Sequence, residues 1–384
     1  MDFMLAVESA AHVKRQKNND NNILEFLYCI LQMNKILYFF LLIWFTSCNK
    51  EVNLKCISLN FDNTNTILID TANVIELETA ENSLLYDIGH IEFLGDKYFI
   101  FSRNTVCVFD LQGHFLFNLS NRGEAPDEYL SVHNICSDGE NIFLYDFVSG
   151  RVLKFDTNGD YISDIKIKRK NNQPTPAKIY NIDSNTFLSY NSYSGEGIQV
   201  PVFSRWNKEL NKQNYIEGRT LQSGLRFPDG CFIDCKKRIL YWEPAKDTLF
   251  SVKNNYLEPI YKIDFGIHKI PYNIATKDDY ERVMFLGKKE NYKYASMARF
   301  FQTRNNKLYF SCIFKEKVYI CSYDETTEET DIFSFSSMDN HYKHLPFFKI
   351  IGNHIILELQ DNTDEEKNHL LYKISIDELE NKKK

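Results

Sequence analysis

The sequence predicts an all-β chain folded as a six-bladed β-propeller of four-stranded antiparallel blades, with one short helical insertion. Three observations carry this. First, Val106 to Leu119 (VCVFDLQGHFLFNL) and Val152 to Ile165 (VLKFDTNGDYISDI), 46 residues apart, are one hairpin written twice. In each, an aromatic and an Asp (Phe109 and Asp110, Phe155 and Asp156) close the first apolar run, and Gly113 or Gly159 follows three residues later. A glycine there supplies the positive φ that a short hairpin connection demands. Second, the echo extends upstream, with Gly95 to Phe101 (GDKYFIF) matched by Gly139 to Tyr145 (GENIFLY). A repeat of this length, built of several short strands, is how a propeller appears in sequence. Third, aromatics make up 15% of the chain, including 30 Phe and 23 Tyr, a bias toward strands.

The elements follow in chain order. Residues 1–32 fit no signal-peptide grammar, because Lys14, Arg15, Lys17 and the run Asn18 to Asn22 (NNDNN) lie far ahead of the first apolar core. Translation is expected to begin at Met33, with 1–32 a spurious or disordered extension. Residues 33–47 read as a secretory signal: Lys35, an apolar run from Ile36 to Phe45, then Thr46 and Ser47. That run is about half of what a membrane-crossing helix needs, so a permanent span is the poorer reading. Thr46, Ser47 and Cys48 resemble a bacterial lipobox, which implies cleavage before Cys48 and lipid attachment to it, although Phe45 stands where Leu is usual. Asn49 to Val52 lack an acidic export run, which leaves the membrane face unassigned.

Residues 48–65 read as a linker and 66–380 as the ring. After the two clear units, a third runs from Ile179 to Tyr190 and Val202 to Trp206, and a fourth from Cys231 to Trp242 and Thr248 to Val252. A fifth spans Phe300 to Phe314 and Val318 to Tyr323, and a sixth Phe347 to Leu359 and Leu370 to Ile376. The run Thr66 to Leu77 has no unit of its own and is expected to complete the last blade, closing the ring by pairing the two ends of the chain. The insertion is 270–294, where Thr276 and Asp279 form a capping pair and Tyr280, Val283, Met284 and Gly287 follow at helical spacing.

The segment Asn121 to Tyr129 (NRGEAPDEY) resembles the G-x-G-P-G-E-[YF] linker of the six-bladed β-propeller lipoproteins common in Bacteroidetes. Gly123, Pro126, Glu128 and Tyr129 match, while Ala125 and Asp127 replace glycines. The resemblance implies an envelope-anchored propeller akin in shape to NHL and TolB-like rings. It carries a fold and an address, not a reaction.

Charge narrows the partners. Lys plus Arg number 45 against 52 Asp plus Glu, a net charge of −7 without a basic stripe, so nucleic acid is not an expected ligand. Nine cysteines show neither paired metal spacing nor a disulfide framework, and those such as Cys107 alternate with core residues. No G-x-S-x-G elbow or H-E-x-x-H motif occurs, so no catalytic residue and no metal ligand is assigned. His341 and His344, the closest His pair, lie in the polar run MDNHYKH, read as a loop. Asp110, Asp156 and Asp324 recur at strand ends, where Asp caps its own turn. The residues left for ligand binding sit where the repeat breaks: Arg122, Glu124 and Glu128 in the first linker, and Arg226 and Asp229 (LRFPDG) before the fourth unit.

The expected function is therefore a ligand-binding or protein-interaction scaffold, held on a membrane by lipid at Cys48 and exposed to a glycan, peptide or envelope protein, without a cofactor. The alternative is a metal-dependent hydrolase or lyase at the channel mouth, for which calcium is the natural ion.

Overall fold

Among the described residues the strands pair into six blade sheets around one axis and one two-stranded ribbon, and the segment before the first blade runs along the outside of three of the blades. The structure, a computed structural model, describes residues 54–168, 175–191, 200–216, 220–221, 232–235, 238–242, 247–275, 277, 279–364 and 366–382. Strands β1 (Lys55–Ser58), β2 (Thr64–Leu68) and β3 (Val74–Glu76) come first. Blade 1 is β4 (His90–Leu94), β5 (Lys97–Ser102), β6 (Thr105–Phe109) and β7 (Phe115–Asn118). Blade 2 is β8 (Val132–Ser137), β9 (Ile142–Asp146), β10 (Arg151–Phe155) and β11 (Tyr161–Lys166). Blade 3 is β12 (Pro176–Asp183), β13 (Thr186–Asn191), β15 (Phe203–Asn207) and β16 (Gln213–Tyr215), with a small side ribbon of β14 (Val200–Pro201) and β17 (Thr220–Leu221).

Blade 4 is β18 (Phe232–Cys235), β19 (Arg238–Trp242), β20 (Thr248–Val252) and β21 (Leu257–Asp264). Blade 5 is β22 (Ser296–Arg304), β23 (Lys307–Phe314), β24 (Lys317–Asp324) and β25 (Thr330–Ser336). Blade 6 is β26 (Tyr342–Ile351), β27 (His354–Asp361) and β28 (Leu370–Ser375), completed by β3. All six units expected from the sequence are present as antiparallel sheets. Antiparallel order puts the connections within the first and third strand pairs on one rim. The connections between second and third strands, and between blades, lie on the other.

The repeated turn chemistry builds the blades as anticipated. Asp110 Oδ1 accepts from Gln112 N (2.9 Å) and His114 N (2.8 Å), and Asp156 Oδ1 from Asn158 N (2.8 Å) and Asp160 N (2.9 Å). Asp324 does the same for Thr326 N and Thr327 N, and Asn207 takes the role in blade 3. Gly113 and Gly159 have φ of +92° and +86°. Each also presses on the preceding blade: a Cβ on Gly113 would lie 2.1 Å from the Glu76 carbonyl oxygen, and one on Gly159 2.5 Å from the Phe117 ring. Two independent reasons thus fix glycine at these turns.

Ring closure differs from expectation. Only Val74–Glu76 of the run Thr66 to Leu77 completes the last blade, pairing antiparallel with β28. Thr64–Leu68 lies instead as a fifth strand on blade 5, parallel to β25. Lys55–Ser58, expected within the 48–65 linker, is a fifth strand of blade 4, parallel to β21. The sheets therefore begin at Lys55, not at Thr66. Asn60 and Asp70 break what would otherwise be one long strand. Their side chains accept from Asp62 N and Ala72 N, and each caps a 3-10 turn that steps the chain to the next blade.

Among the described residues the buried apolar side chains fall into six clusters, and each lies between two neighbouring blades. Leu94, Phe99 and Val108 of blade 1 meet Ile135, Leu144 and Phe155 of blade 2, and Ile91 and Tyr98 on the other face of blade 1 meet Ile356 and Leu371 of blade 6. Full burial of one such side chain is worth about 1.5–3 kcal/mol. No sheet has a core of its own, so each blade depends on both neighbours. The strap formed by β1 and β2 contributes Ile57, Leu59 and Phe61 to the cluster of blades 4 and 5, and Ile67 and Ile69 to that of blades 5 and 6.

The insertion between β21 and β22 carries helices at Tyr272–Ala275 and Asp279–Leu286 and a 3-10 turn at Lys289–Asn291. Thr276 of the expected capping pair lies outside the described residues. A C-terminal helix, Ile376–Asn381, was not expected; Ser375 caps it by accepting from Glu378 N, and Ile376 and Leu379 bury against blade 6.

Candidate functional site

The first inter-blade linker is held by side chains whose work is done within the ring. Asp146, fully buried at the end of β9, accepts from Leu130 N and Ser131 N at 3.0 Å each, and from Val148 N at 3.2 Å. Burial opposes its ionisation, but these bonds outweigh that and hold its carboxyl below the ordinary carboxylate range. Arg151 donates from Nη2 to the Glu128 carbonyl (2.6 Å) and from Nη1 to that of Pro126 (3.1 Å).

Of the residues singled out in the sequence, Glu128 folds back on its own linker. Its Oε2 accepts from Ala125 N at 3.0 Å and fills the space a Cβ on Gly123 would occupy, 1.8 Å away. Ala125 and Asp127 have ordinary negative φ, so the two missing glycines cost the loop nothing. Arg122 and Glu124 are exposed, and among the described residues neither side chain forms a hydrogen bond or ion pair. Arg226, Asp229 and Cys48 lie outside the described residues. Replacing Arg151 by alanine is expected to cost about 1–2 kcal/mol in chemical denaturation, because the part-buried Glu128 carbonyl and the exposed Pro126 carbonyl lose a charged donor. Glu124→Ala should stay within about 0.5 kcal/mol.

The linker from blade 6 to blade 1 is fastened in the same way. Asn368 accepts from Leu85 N (2.7 Å) and donates to the carbonyls of Glu78 and Ser83, both at 2.8 Å. Buried Glu358 accepts from Ile88 N (3.2 Å) and pairs with His369 Nδ1 at 2.6 Å. Burial pushes the Glu358 carboxyl upward, and the His369 contact works against it. His344, expected in a loop, lies buried within β26.

A different cluster stands on the innermost strands. Glu92 of β4 pairs through Oε1 with His90 Nε2 of the same strand at 2.7 Å, and through Oε2 accepts from the Ser137 hydroxyl of β8 at 3.3 Å. Lys349 Nζ of β26 approaches Glu92 Oε1 to 3.7 Å. The charge of Lys178, on β12, also reaches His90. Four blades thus bring side chains to one place, and the three titratable ones in direct contact, His90, Glu92 and Lys349, are 15–29% exposed, neither solvated nor sealed. His90 is held below the ordinary imidazole range by burial, then by Lys349 and Lys178, against Glu92. Burial would raise Glu92, yet Lys349, followed by His90, brings it down to about 2.

The cluster was not foreseen. Glu92 and Lys349 lie on opposite ends of the sequence, and each alone reads as an ordinary surface charge; only the ring brings them together. Among the described residues no group of three or more His, Cys, Asp or Glu side chains is placed to hold a metal ion.

Comparison with solved structures gives the fold. The chain resembles a protein of Bacteroides fragilis designated as exported, at 16% identity and a TM-score of 0.62, covering 84% of this chain and 99% of that one. It also resembles a DUF4221 family member from Bacteroides vulgatus, at 9% identity and a TM-score of 0.53, covering 78% and 95%. No curated protein matches the sequence. The sequence profile of one family spans residues 50–383, from just before the strap to the end of the C-terminal helix. The chain belongs to that family, the domain of unknown function DUF4934.

Proposed function

We propose that this protein is a lipid-anchored propeller of the cell envelope, a non-enzymatic scaffold that takes its ligand at the channel cluster of His90, Glu92, Lys178 and Lys349. The observation that carries the reading is the cluster itself. Turn caps and linker ties account for Asp110, Asp156, Asp324, Asp146, Glu128 and Arg151, all of which serve the ring. The channel group joins blades already packed through their apolar faces, and it stays open to solvent. Buried polar groups concentrated on such a wall are what orients a ligand in a pre-formed site.

The address rests on the signal-like run from Met33 to Ser47 followed by Cys48, and the designation of a structural relative as exported points the same way. In detergent phase partition the full chain should enter the detergent phase after signal processing, and Cys48→Ser should remain unprocessed and unlipidated. A cytoplasmic, unprocessed wild-type protein would overturn the address. Binding is tested separately by thermal shift against sugars, peptides and divalent metals, since a ligand at a hundred times its dissociation constant adds about 2.7 kcal/mol. Stabilisation by calcium or zinc alone would favour the metal-dependent hydrolase or lyase instead.

A further inference from the structure

We infer that the channel cluster takes a neutral polyhydroxylated ligand, a sugar, with one hydroxyl donating to His90 Nδ1 and an adjacent hydroxyl oxygen accepting from Lys349 Nζ. This rests on the reading of the cluster as a ligand site and adds the ligand's chemistry. Three observations support it. The first is a break in the repeat. In blades 2 and 5, polar side chains of the innermost strand tie the blade to the backbone of the next. Asn134 accepts from Ile179 N at 2.9 Å and donates to the Ile179 carbonyl at 2.6 Å, and Cys136 Sγ accepts from Asn181 N at 3.3 Å. Gln302 accepts from Ile350 N at 2.8 Å and donates to the Phe348 carbonyl at 3.2 Å. His90 and Glu92 hold the register places of Asn134 and Cys136. They pair with Phe101 and Phe99 of β5, as Asn134 and Cys136 pair with the matching Tyr145 and Phe143 of β9. Yet among the described residues neither His90 nor Glu92 bonds the backbone of β8 through its side chain. The places that hold blade 2 to blade 3 are not used that way in blade 1.

The second observation is the tautomer of His90. Against burial, Lys349 and His90 bring the Glu92 carboxyl down to about 2, so it is ionised and can only accept. His90 Nε2, 2.7 Å from Glu92 Oε1, is therefore the donor of that bond. Burial and then Lys349 lower the imidazole pKa, so the ring is neutral and Nδ1 carries a lone pair. Among the described residues Nδ1 has no partner, and unlike both nitrogens of His344 it is not sealed from solvent. Lys349 Nζ lies 3.7 Å from the same Oε1, outside the roughly 2.7–2.9 Å of a charge-assisted bond. An ammonium has three donors, and among the described residues Lys349 makes no side-chain hydrogen bond. One carboxylate oxygen thus holds an open acceptor and an open donor within the span of one small ligand. The third observation is the pairing of charge. Glu92 and Lys349 face each other, so an anion competes with Glu92 for the ammonium and a cation is repelled by it. A carboxylate also brings no proton for Nδ1. A hydroxyl both donates and accepts, and neighbouring hydroxyls of a sugar reach the same side. A trans peptide points its N–H and C=O in opposite directions and cannot serve both groups at once.

The test is calorimetric titration of the full chain with D-glucose and D-galactose as neutral sugars, D-glucuronate and D-glucosamine as charged counterparts, and N-acetylglycinamide as a peptide-like probe. The neutral sugars should bind, the charged ones should bind no tighter, and the amide should bind more weakly. His90→Phe and Lys349→Met should each weaken sugar binding about tenfold, the loss of one hydrogen bond, with Lys349→Arg retaining most of it. In wild-type protein carrying isotope-labelled histidine, sugar should move the Nδ1 resonance of His90 and leave that of His344 in place. His90→Asn, which installs the residue of blade 2 at the same register, assigns the signal. Tenfold tighter binding of glucuronate, glucosamine or the amide than of either neutral sugar would overturn the inference. So would sugar binding that neither His90→Phe nor Lys349→Met weakens and that leaves the His90 resonance unmoved. Each of these results leaves the scaffold reading standing, with another ligand or another site. Binding of none of the five probes overturns the sugar inference, and the scaffold reading fails with it only if the wider thermal-shift panel is also silent. The wild-type probe series and the His90 resonance decide the matter even if a variant does not fold.

Discussion

Shortening Ile57 or Ile67 to alanine is expected to destabilise the ring by about 2–5 kcal/mol in each case, as much as the same change at a core position of a blade. Ile57 is fully buried in β1 and Ile67 is 1% exposed in β2. They face separate clusters, blades 4 with 5 and blades 5 with 6. Because the two sites share no partner, their losses should add to within about 0.5 kcal/mol. The double variant then loses a sum comparable to the whole stability of a typical domain, about 5–15 kcal/mol. It should be unfolded or aggregated, since unpaired edges of β21 and β25 would also be laid open. Thr66→Ala, on the exposed face of β2, where the side-chain hydroxyl lies 3.1 Å from Ser334 Oγ, is the control and should stay near wild type. Urea unfolding followed by tyrosine and tryptophan fluorescence measures all four. Losses below about 1 kcal/mol for Ile57→Ala and Ile67→Ala would mean that the strap lies on a ring already complete without it.

How much of this could be read from the chain depends on how local its cause is. The hairpins around Gly113 and Gly159 were legible because an Asp that caps its own turn and a glycine at positive φ act within five residues. The blade count followed from the same pattern, down to blade 3, where Asn207 replaces Asp. The strap was not legible in detail. Parallel pairing of β1 with β21 joins residues about two hundred positions apart, and no periodicity in Lys55–Ser58 announces it. The breaks at Asn60 and Asp70 were visible as residue types, but an Asn or Asp between apolar runs marks a step to another blade as readily as a turn within one. The linker Asn121 to Tyr129 was correctly placed between blades, yet its charges divide. Glu128 serves the loop, Arg122 and Glu124 face solvent, and the clamp is Arg151 from a strand 23 residues beyond Glu128. The channel cluster was the least legible feature, since Glu92 and Lys349 acquire meaning only when the first and last blades adjoin.

Replacing His344 by phenylalanine is expected to stabilise the protein, and increasingly so as the pH falls. His344 is buried on β26 against Phe335, ring centroids 5.1 Å apart, and neither ring nitrogen has a hydrogen-bond partner. Burial lowers its pKa to about 3, against the opposing pull of the Val318 backbone, which lies near the ring but does not complete a hydrogen bond to it. In the unfolded chain the imidazole titrates near 6.5, so between pH 6.5 and 3 the unfolded state holds a proton that the folded state refuses. The sign follows from linkage: stability is undiminished above pH 6.5 and falls as the pH drops toward 3, by about 1.4 kcal/mol per pH unit where the difference in bound protons is complete. At pH 4 the cost from this one side chain is on the order of 3 kcal/mol. Phenylalanine keeps an aromatic ring for the edge-to-face contact at the cost of one more ring atom to accommodate, removes two nitrogens without hydrogen bonds and carries no titration. The variant should be about 1 kcal/mol or more stabler at pH 7, and the gap should widen steadily down to pH 4 in urea titrations at each pH. Wild-type and variant curves that run parallel from pH 7 to 4 would show that the His344 niche opens to water or to a proton acceptor before the ring unfolds.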